Sequence, residues 1–469
     1  MPERKTIAAY LEAVQEQIRW KRARPVLIQE LERHLEDQRD DLLKEGKPAE
    51  EAERLAVEDM GDPVTIGTEL DRVHRPRPQW GLLGMTIALA VIGVVLRVAF
   101  RDVSEGPNTG LNAALEKALV SLGLGTAALL GMYFLDVSRL VRHARTVYIG
   151  SLIVPALLNT IHPYLYPHLY PSYLFTLTVV LYPLAYALWL YSFRGKGWKG
   201  VLLTILGGVP LAAVCCLIPS SSALFILLFS GLAVTLYAAG RDFFGVGRKK
   251  GLAAVLAVPA VLLAWLLSQG YLHSFLGRLK IALSHELDPQ NKGFMGWMLH
   301  MFWKDVPPLR HHESFGAAIQ AGVRVRVYTD NTNIFGGKLP FDYSSDLLPV
   351  SVAVHWGWVP LLVLLAALEG LFLWLLIKGL RQSYLPGRFV VLAVTLTLGL
   401  QTLFSAALNF GFVLFSASLP LVVGNFQTVL DMALIGLALS VFRGDSIARE
   451  EPEKPLRPRR RLRIKFEYQ

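Results

Sequence analysis

The chain has 469 residues, of which 53% are hydrophobic and only 18% are charged, and its mean hydropathy is +0.41. Soluble globular proteins carry about 25% charged residues, so this composition excludes an ordinary soluble enzyme and favours a chain that crosses a membrane repeatedly. The net charge of +10 does not indicate nucleic-acid binding, because the basic residues fall mainly between hydrophobic segments, where they set orientation in a membrane.

Residues 1–78 hold a disproportionate share of the charge, with 18 acidic and 14 basic side chains. Hydrophobic residues recur there at helical spacing, in the two sets Ile7, Leu11, Val14, Ile18 and Ile28, Leu31, Leu35, Leu42. Pro25 suits the first position of the second helix, and Gly46 suits its end. The chain is therefore predicted to begin with two amphipathic helices that pack against each other.

Two further helices complete this prefix. The third is predicted over residues 48–60 and ends at Gly61, while Asp62 and Pro63 suit the N-cap and the first residue of the fourth. The Pro-rich segment 75–80 then links a compact cytoplasmic domain to the membrane domain. The stretch LAVEDMGDPVTIGTELDRVHRP resembles the helical prefix ahead of some bacterial ABC-type permeases, which implies a docking or stabilising domain.

Residues 79–442 are predicted to form the membrane domain. A bilayer core of about 30 Å needs roughly 20 apolar residues per helix. Ten segments meet this requirement: 80–100, 114–135, 147–164, 171–193, 200–218, 220–240, 251–270, 347–377, 388–415 and 418–442. The expected fold class is therefore an all-α polytopic membrane protein with about ten transmembrane helices and a small soluble helical domain.

The loops between these segments alternate in charge. Basic residues follow every second span: Arg139, Arg142, Arg145, then Arg194, Lys196, Lys199, then Arg241, Arg248, Lys249, Lys250, and finally Lys378, Arg381, Arg388. The alternate short loops have almost none. Because Lys and Arg are retained on the cytoplasmic side, both termini are predicted to be cytoplasmic. The basic tail 443–469 then faces anionic inner-leaflet lipids, which is preferred to a nucleic-acid role.

One segment breaks this rhythm, the external loop 271–346, which holds 8 basic residues, 7 acidic residues and 5 histidines. A connection of this length in a compact domain is usually functional or partly folded. Catalytic or binding residues are therefore expected in this loop.

Motifs of the membrane domain, in order along the chain, resemble those of the FtsW/RodA/SpoVE family, known as SEDS proteins. The segment SSDLLPVSVAVHWGWVP (344–360) is similar to the family's TDFIFAVLxEELGxxG stretch, with Asp346 and Gly357 in matching positions. Further likenesses lie at 170–176, 218–240, 277–294 and in the last two spans. The resemblance covers residues 80–443 and implies ten spans with a large external loop between spans seven and eight.

The chain departs from the family pattern at several positions. The Glu and Lys of the family's PSExxK motif fall on Tyr173 and Thr176, and the Asp of its QPDLG motif is Ser220. His355 and Trp356 replace the pair of glutamates that follows the signature Asp. These departures leave open an altered acceptor, a changed partner or a chain without catalytic activity.

The resemblance implies an activity for the external loop. SEDS proteins polymerise a lipid-linked disaccharide-pentapeptide, lipid II, in cell division, cell shape or sporulation, and an external-loop Asp, here Asp346, is tied to that activity. A sugar hydroxyl is a poor nucleophile, and a carboxylate within hydrogen-bond reach takes its proton as it attacks the donor's anomeric carbon. The alternative for Asp346 is a helix N-cap, since an apolar run follows it, and the two roles are compatible. Asp342 is the second candidate base.

The leaving group of such a reaction, a polyprenyl pyrophosphate, requires cations. The candidate substrate-binding residues of the loop are Arg278, Lys280, Lys292, Arg324, Arg326 and Lys338, and a solvated surface charge is the alternative for each. No cofactor is identified. A divalent cation is the one alternative, although the adjacent His311 and His312 lack the spaced third ligand of a metal site.

Acidic residues within the predicted spans are costly unless they face a polar group or cavity. Asp431 is expected to line an internal groove, where it contacts the substrate, or to pair with another polar side chain. Glu369 is expected near Lys378, at the cytoplasmic interface.

Two other functions fit the same residues. A transporter that moves a lipid-linked precursor across the bilayer would depend on polar residues within the spans, such as Asp431. A catalytically silent scaffold would bind a wall-synthesis partner, for which the resemblance implies a class B penicillin-binding transpeptidase. The expected partners of the enzyme are the membrane and a lipid-linked peptidoglycan precursor, and no nucleic-acid partner is expected.

Overall fold

The computed structural model of the chain describes residues 6–20, 23–74, 78–99, 107–165, 178–217, 221–268, 276–277, 280, 303, 306–309, 346–382, 384–412, 414–415, 417–424 and 426–444. All regular secondary structure in this part of the chain is helical, and the protein is an all-α polytopic membrane protein. It divides into two compact units, one containing the first four helices and the other the apolar helices that follow residue 78.

The first unit is built from α1 (Ile7–Gln17), α2 (Arg24–Lys44), α3 (Ala49–Met60) and α4 (Pro63–His74). Its core is formed by the hydrophobic faces expected from the sequence, and Val14, Ile18 and Leu35 are completely buried in it. A polar contact ties the start of α1 to α3, because the Ile7 N–H donates to Glu53 Oε1 at 3.0 Å. The unit therefore has a hydrophobic core of its own.

The turns of this unit follow local signals in the sequence. Gly46 and Gly61 come directly after the last turns of α2 and α3, with φ of +89° and +85°, a conformation that glycine adopts without steric cost. Asp62 caps α4, because its Oδ2 accepts from the Thr65 N–H at 2.9 Å. Pro25 is the second residue of α2, not the first as predicted, since the helix begins one residue earlier.

The second unit contains the apolar helices. In chain order they are α5 (Trp80–Ala99), α6 (Pro107–Phe134), α7 (Val137–Arg142), α8 (Ala144–Leu165), α9 (Tyr182–Tyr191), α10 (Gly197–Leu217), α11 (Ser221–Gly240), α12 (Arg248–Ser268), α13 (Leu348–Trp356), α14 (Trp358–Leu380), α15 (Leu385–Asn409) and α16 (Phe426–Gly444). Within the described residues, seven helices are long and apolar enough to cross a membrane, in α5, α6, α10, α11, α14, α15 and α16. The helices α8, α9 and α12 occupy the other three predicted segments, and the count of ten spans stays a prediction.

The span predicted over residues 347–377 is wrong as a single helix. It consists of α13 and α14, which are separated at Gly357, where φ is +98°. Hydrophobicity continues across this break. The backbone N–H groups at the break form hydrogen bonds with other parts of the protein. Such bonds leave no trace in the hydropathy of the sequence.

The last two predicted spans also need correction. The helix expected over residues 388–415 begins earlier and ends at Asn409. The helix expected over 418–442 begins only at Phe426, after the non-helical segment 417–424. The turn between α15 and α16 is therefore longer, and more deeply buried, than the sequence indicates.

The helices α15 and α16 form the centre of the second unit, with 72% of each span buried, against 28% for the span Leu115–Phe134 in α6. Glycines allow the outer helices to approach α16 and the segment 417–424 closely. A Cβ on Gly436 of α16 would lie 2.3 Å from the Leu129 carbonyl oxygen of α6, and one on Gly93 of α5 would lie 2.8 Å from the Val422 backbone. The centre is thus packed backbone against backbone.

Candidate functional site

Asp346 lies directly before α13, at the end of the predicted external loop. The residue is half-buried, while the first turn of α13 that follows it, Leu347 to Val350, is buried. The N-cap position belongs to Leu347, whose side chain accepts no hydrogen bond. The alternative role of Asp346 as the N-cap of this helix therefore does not match the observed helix start.

Asn409, the last residue of α15, holds this region together. Its side chain is completely buried, and its Nδ2 donates to the Asp346 carbonyl oxygen at 2.7 Å and to the Ser405 carbonyl oxygen at 2.7 Å. Its Oδ1 accepts from the Val350 N–H at 3.1 Å. A single amide therefore joins the candidate base and the first turn of α13 to the end of α15.

Trp303, which belongs to the predicted external loop, contacts the same helix end. Its Nε1–H donates to the Asn409 carbonyl oxygen at 2.7 Å. Its ring stacks on Phe410, with centroids 4.9 Å apart and planes 24° apart. This part of the loop is therefore docked beside the residue that holds Asp346.

The segment 306–309 of the loop contacts the junction between α13 and α14. The carbonyl oxygens of Pro307 and Pro308 accept from the N–H groups of Trp358 and Val359, at 3.2 and 3.1 Å. These two N–H groups begin α14 and have no partner within the helix. The loop thus supplies the N-terminal cap of α14, at the far end of the nine-residue helix that follows Asp346.

Asn409 lies in a predicted span, where asparagine usually hydrogen-bonds between helices, and the sequence does not single out Trp303 or the Pro307–Pro308 pair. Two consecutive prolines have a restricted φ, so their carbonyl groups are held in place as hydrogen-bond acceptors. This pair is the one feature of the sequence that could have indicated the contact. The partner of that segment lies about 50 residues further along the chain and is set by the tertiary structure.

Of the other candidate residues of the loop, the structure describes only Lys280. Lys280 is exposed, while Arg278, Lys292, Arg324, Arg326, Lys338 and Asp342 lie outside the described residues. In the part of the chain that the structure describes, no three His, Cys, Asp or Glu side chains lie close enough to hold a metal ion. His311 and His312 also lie outside that part.

Asp431 is completely buried in α16. Its Oδ2 accepts from the Leu421 N–H at 3.1 Å, and its Oδ1 accepts from Gln427 Nε2 at 3.2 Å. Leu421 has a φ of +67°, which is unfavourable for a branched side chain. The carboxylate thus stabilises the non-helical segment 417–424, which corresponds to the expected pairing with a polar group. A contact between Asp431 and substrate stays a prediction.

The sequence predicted that Glu369 lies near Lys378, but the structure places the two residues apart. The two residues are nine positions apart on α14, which separates them by about 13 Å along the helix axis. The Lys378 ammonium donates to the Gln79 side chain. Glu369 instead faces Gly399 of α15, where a Cβ would lie 3.5 Å from Glu369 Oε2.

The fold is similar to that of a solved structure. A chain from a peptidoglycan synthase complex, whose structure concerns the coordination of polymerization and crosslinking, matches with a TM-score of 0.56 at 20% identity, over 78% of this chain and 98% of that chain. The rod shape determining protein RodA of Thermus thermophilus matches with a TM-score of 0.46 at 19% identity, over 78% of this chain and 97% of RodA. No family model and no curated protein matches the chain. The match to the synthase chain concerns the fold alone, and this fold agrees with the one that the motif resemblance to SEDS proteins implies.

Proposed function

We propose that the chain is a peptidoglycan glycosyltransferase that polymerises lipid II at the outer face of the cytoplasmic membrane. The activity would serve cell-wall synthesis in growth, division, cell shape or sporulation. The observation that carries the proposal is the arrangement at Asp346, a half-buried acidic residue tethered through its backbone to a buried amide. The shared fold with a chain of a peptidoglycan synthase complex supports it.

The chemistry requires one proton acceptor. The acceptor hydroxyl of one sugar attacks the anomeric carbon of the donor, its proton passes to the Asp346 carboxylate, and the bond from that carbon to the polyprenyl pyrophosphate breaks. A general base must lie within hydrogen-bond reach of the hydroxyl, so its backbone has to be held in place. The basic residues of the external loop, among them Lys280 and Arg278, would bind the pyrophosphate as it leaves.

The transport alternative depends on intramembrane polar residues, above all Asp431. Both oxygens of this carboxylate accept hydrogen bonds from protein groups, and the residue is completely buried. This arrangement supports a structural role for Asp431 and favours the enzyme over the transporter.

The proposal extends to location and partner. The alternation of basic loops supports a multi-pass protein of the bacterial plasma membrane with both termini in the cytoplasm. A polymerase of glycan strands acts beside an enzyme that crosslinks them, and we propose a class B penicillin-binding transpeptidase as the protein partner. The fold match to a chain of a complex that joins polymerization with crosslinking supports this assignment.

The test is polymerisation of labelled lipid II by the purified protein, compared with Asp346→Asn. Asparagine keeps the size of the side chain and removes the proton acceptor, so polymerisation is expected to fall about 10²- to 10⁴-fold. Asp342→Asn is the matched control in the same loop and is expected to cost far less. Near-normal polymerisation by Asp346→Asn would show that the assigned base is wrong.

The same preparation separates the alternative functions. Movement of lipid II across a vesicle membrane without polymer would favour the transporter. Neither polymer nor movement, with every divalent ion tested, would favour the scaffold, and binding to a transpeptidase would then be the property to measure.

A further inference from the structure

The side chain of the N-cap residue does not cap helix α13. Its N-cap residue, Leu347, has no side-chain acceptor, whereas Ser, Thr, Asp or Asn usually fills this position and accepts from the N–H two or three residues later. Here Oδ1 of Asn409 accepts from the N–H of Val350, the third residue of the helix. An amide from α15, 59 positions further along the chain, therefore caps α13 from outside.

The same side chain is bound on its other edge. Its Nδ2 donates to the Asp346 and Ser405 carbonyl oxygens, both at 2.7 Å. An amide has one acceptor oxygen and two N–H donors, and all three are used at a site without solvent exposure. The orientation of the amide is consequently determined, and so is the backbone position of Asp346 relative to α15.

We infer that Asn409 is a positioning residue for Asp346. It does not contact the substrate. It fixes the backbone that carries the base, and it fixes the first turn of the helix behind that base. The inference rests on the proposed function, in which Asp346 accepts the proton. A displacement of about 1 Å in a reacting group costs roughly 100-fold in rate, so loss of this amide is expected to reduce catalysis.

The first experiment compares Asn409→Leu with Thr402→Val in lipid II polymerisation. Leucine is close to asparagine in size and has no polar atoms. Thr402 is a matched control, because it is also buried in α15 and its hydroxyl donates to Leu398 in the same helix. We expect Asn409→Leu to lower kcat by about tenfold or more with KM for lipid II nearly unchanged, and Thr402→Val to retain native kcat. Native kcat in Asn409→Leu would overturn the inference.

The second experiment asks whether Asn409 acts through Asp346. Asn409→Leu is introduced into the Asp346→Asn protein, and the residual rates are compared. Groups that act as one unit have non-additive effects, so the leucine substitution is expected to cost little once the carboxylate is absent. An equal loss in both backgrounds would indicate a general structural role and would contradict the inference.

A measurement without turnover separates this inference from the proposed function. Hydrogen–deuterium exchange of the α13 amides is expected to be faster in Asn409→Leu than in the native protein, and unchanged in Thr402→Val.

If Asn409→Leu does not fold, Asn409→Asp retains an acceptor for the Val350 N–H and loses the amide donors, and it is expected to protect α13 while still losing polymerisation. A native protein without polymerase activity would overturn the proposed function and the positioning role of Asn409 together, and the exchange data would still report the cap. Unchanged exchange in the leucine variant would reject the cap itself.

Discussion

At the scale of single residues, Gly357 determines the junction between α13 and α14. Its φ of +98° with ψ of 168° lies in a region that is open essentially to glycine alone. A Cβ at this position would also lie 2.3 Å from the Pro308 carbonyl oxygen. The same residue thus allows the helix to break and allows the loop segment 306–309 to approach the break.

We predict that Gly357→Ala destabilises the protein. The backbone conformation alone costs about 1–3 kcal/mol for a non-glycine residue, and the contact with Pro308 requires a further displacement of the loop. The measurement is the melting temperature of the purified protein in detergent. Gly370→Ala is the matched control, because no atom outside the neighbouring backbone of α14 lies within 4 Å of the added Cβ, and it is expected not to lower the melting temperature, since alanine is favoured over glycine inside a helix. Equal melting temperatures for the two variants would contradict this account of the junction.

At the scale of elements, each helix boundary in the first unit is set by residues that lie within a few positions of it in the sequence. Asp62 shows how this works for α4. Its carboxylate accepts from the Thr65 hydroxyl at 2.7 Å and from the Thr65 N–H at 2.9 Å, and these bonds hold the pKa of Asp62 below its ordinary value of 3.8. Because the pKa is depressed in the folded state, the stabilisation is present above pH 3.8 and is lost as the pH falls through the lowered pKa.

Two expectations follow for residues 1–78 prepared alone. The fragment should be helical and unfold cooperatively, since its hydrophobic core lies within it. Asp62→Ala should lower its melting temperature at pH 7, by less as the pH falls below 3.8, as followed by circular dichroism. Asp41→Ala is the control, because the Asp41 side chain forms an exposed ion pair with Lys44, and such pairs contribute little to stability. A constant effect of Asp62→Ala across this pH range would rule out the cap as its cause.

At the scale of the whole molecule, the arrangement of spans sets which loops reach each side of the membrane. The structure contains seven described helices that meet the length and composition of a span, and the basic loops alternate with short loops that hold almost no Lys or Arg. If the total is ten, both termini lie in the cytoplasm. The external loop then opens on the outer face, the side on which the proposed function places polymerisation.

This topology is testable with single cysteines in a protein that lacks Cys215 and Cys216. His168→Cys and Ser314→Cys should react with a membrane-impermeant reagent on intact cells, because both positions are predicted to be external. The matched variants Lys196→Cys and Lys249→Cys should react only after the cells are opened. Labelling of Lys249→Cys from outside would break the ten-span topology.

The sequence by itself determined the properties that depend on residues close together along the chain. The apolar segments predict a membrane protein because their length matches the bilayer core. The caps and turns at Asp62, Gly46 and Gly61 were predicted correctly because each depends on φ or on a hydrogen bond within about three residues. Asp346 was singled out by its motif, and the structure adds how it is held.

Only the tertiary structure decided where the helices around the candidate site begin and end. The break at Gly357 depends on Pro307 and Pro308, about 50 residues earlier in the chain. The start of α13 depends on Asn409, and the segment 417–424 depends on Asp431. Hydropathy is continuous through Gly357 and through the segment 417–424. A buried backbone can leave the helix there because distant groups satisfy its hydrogen bonds, and the sequence does not state which distant groups meet.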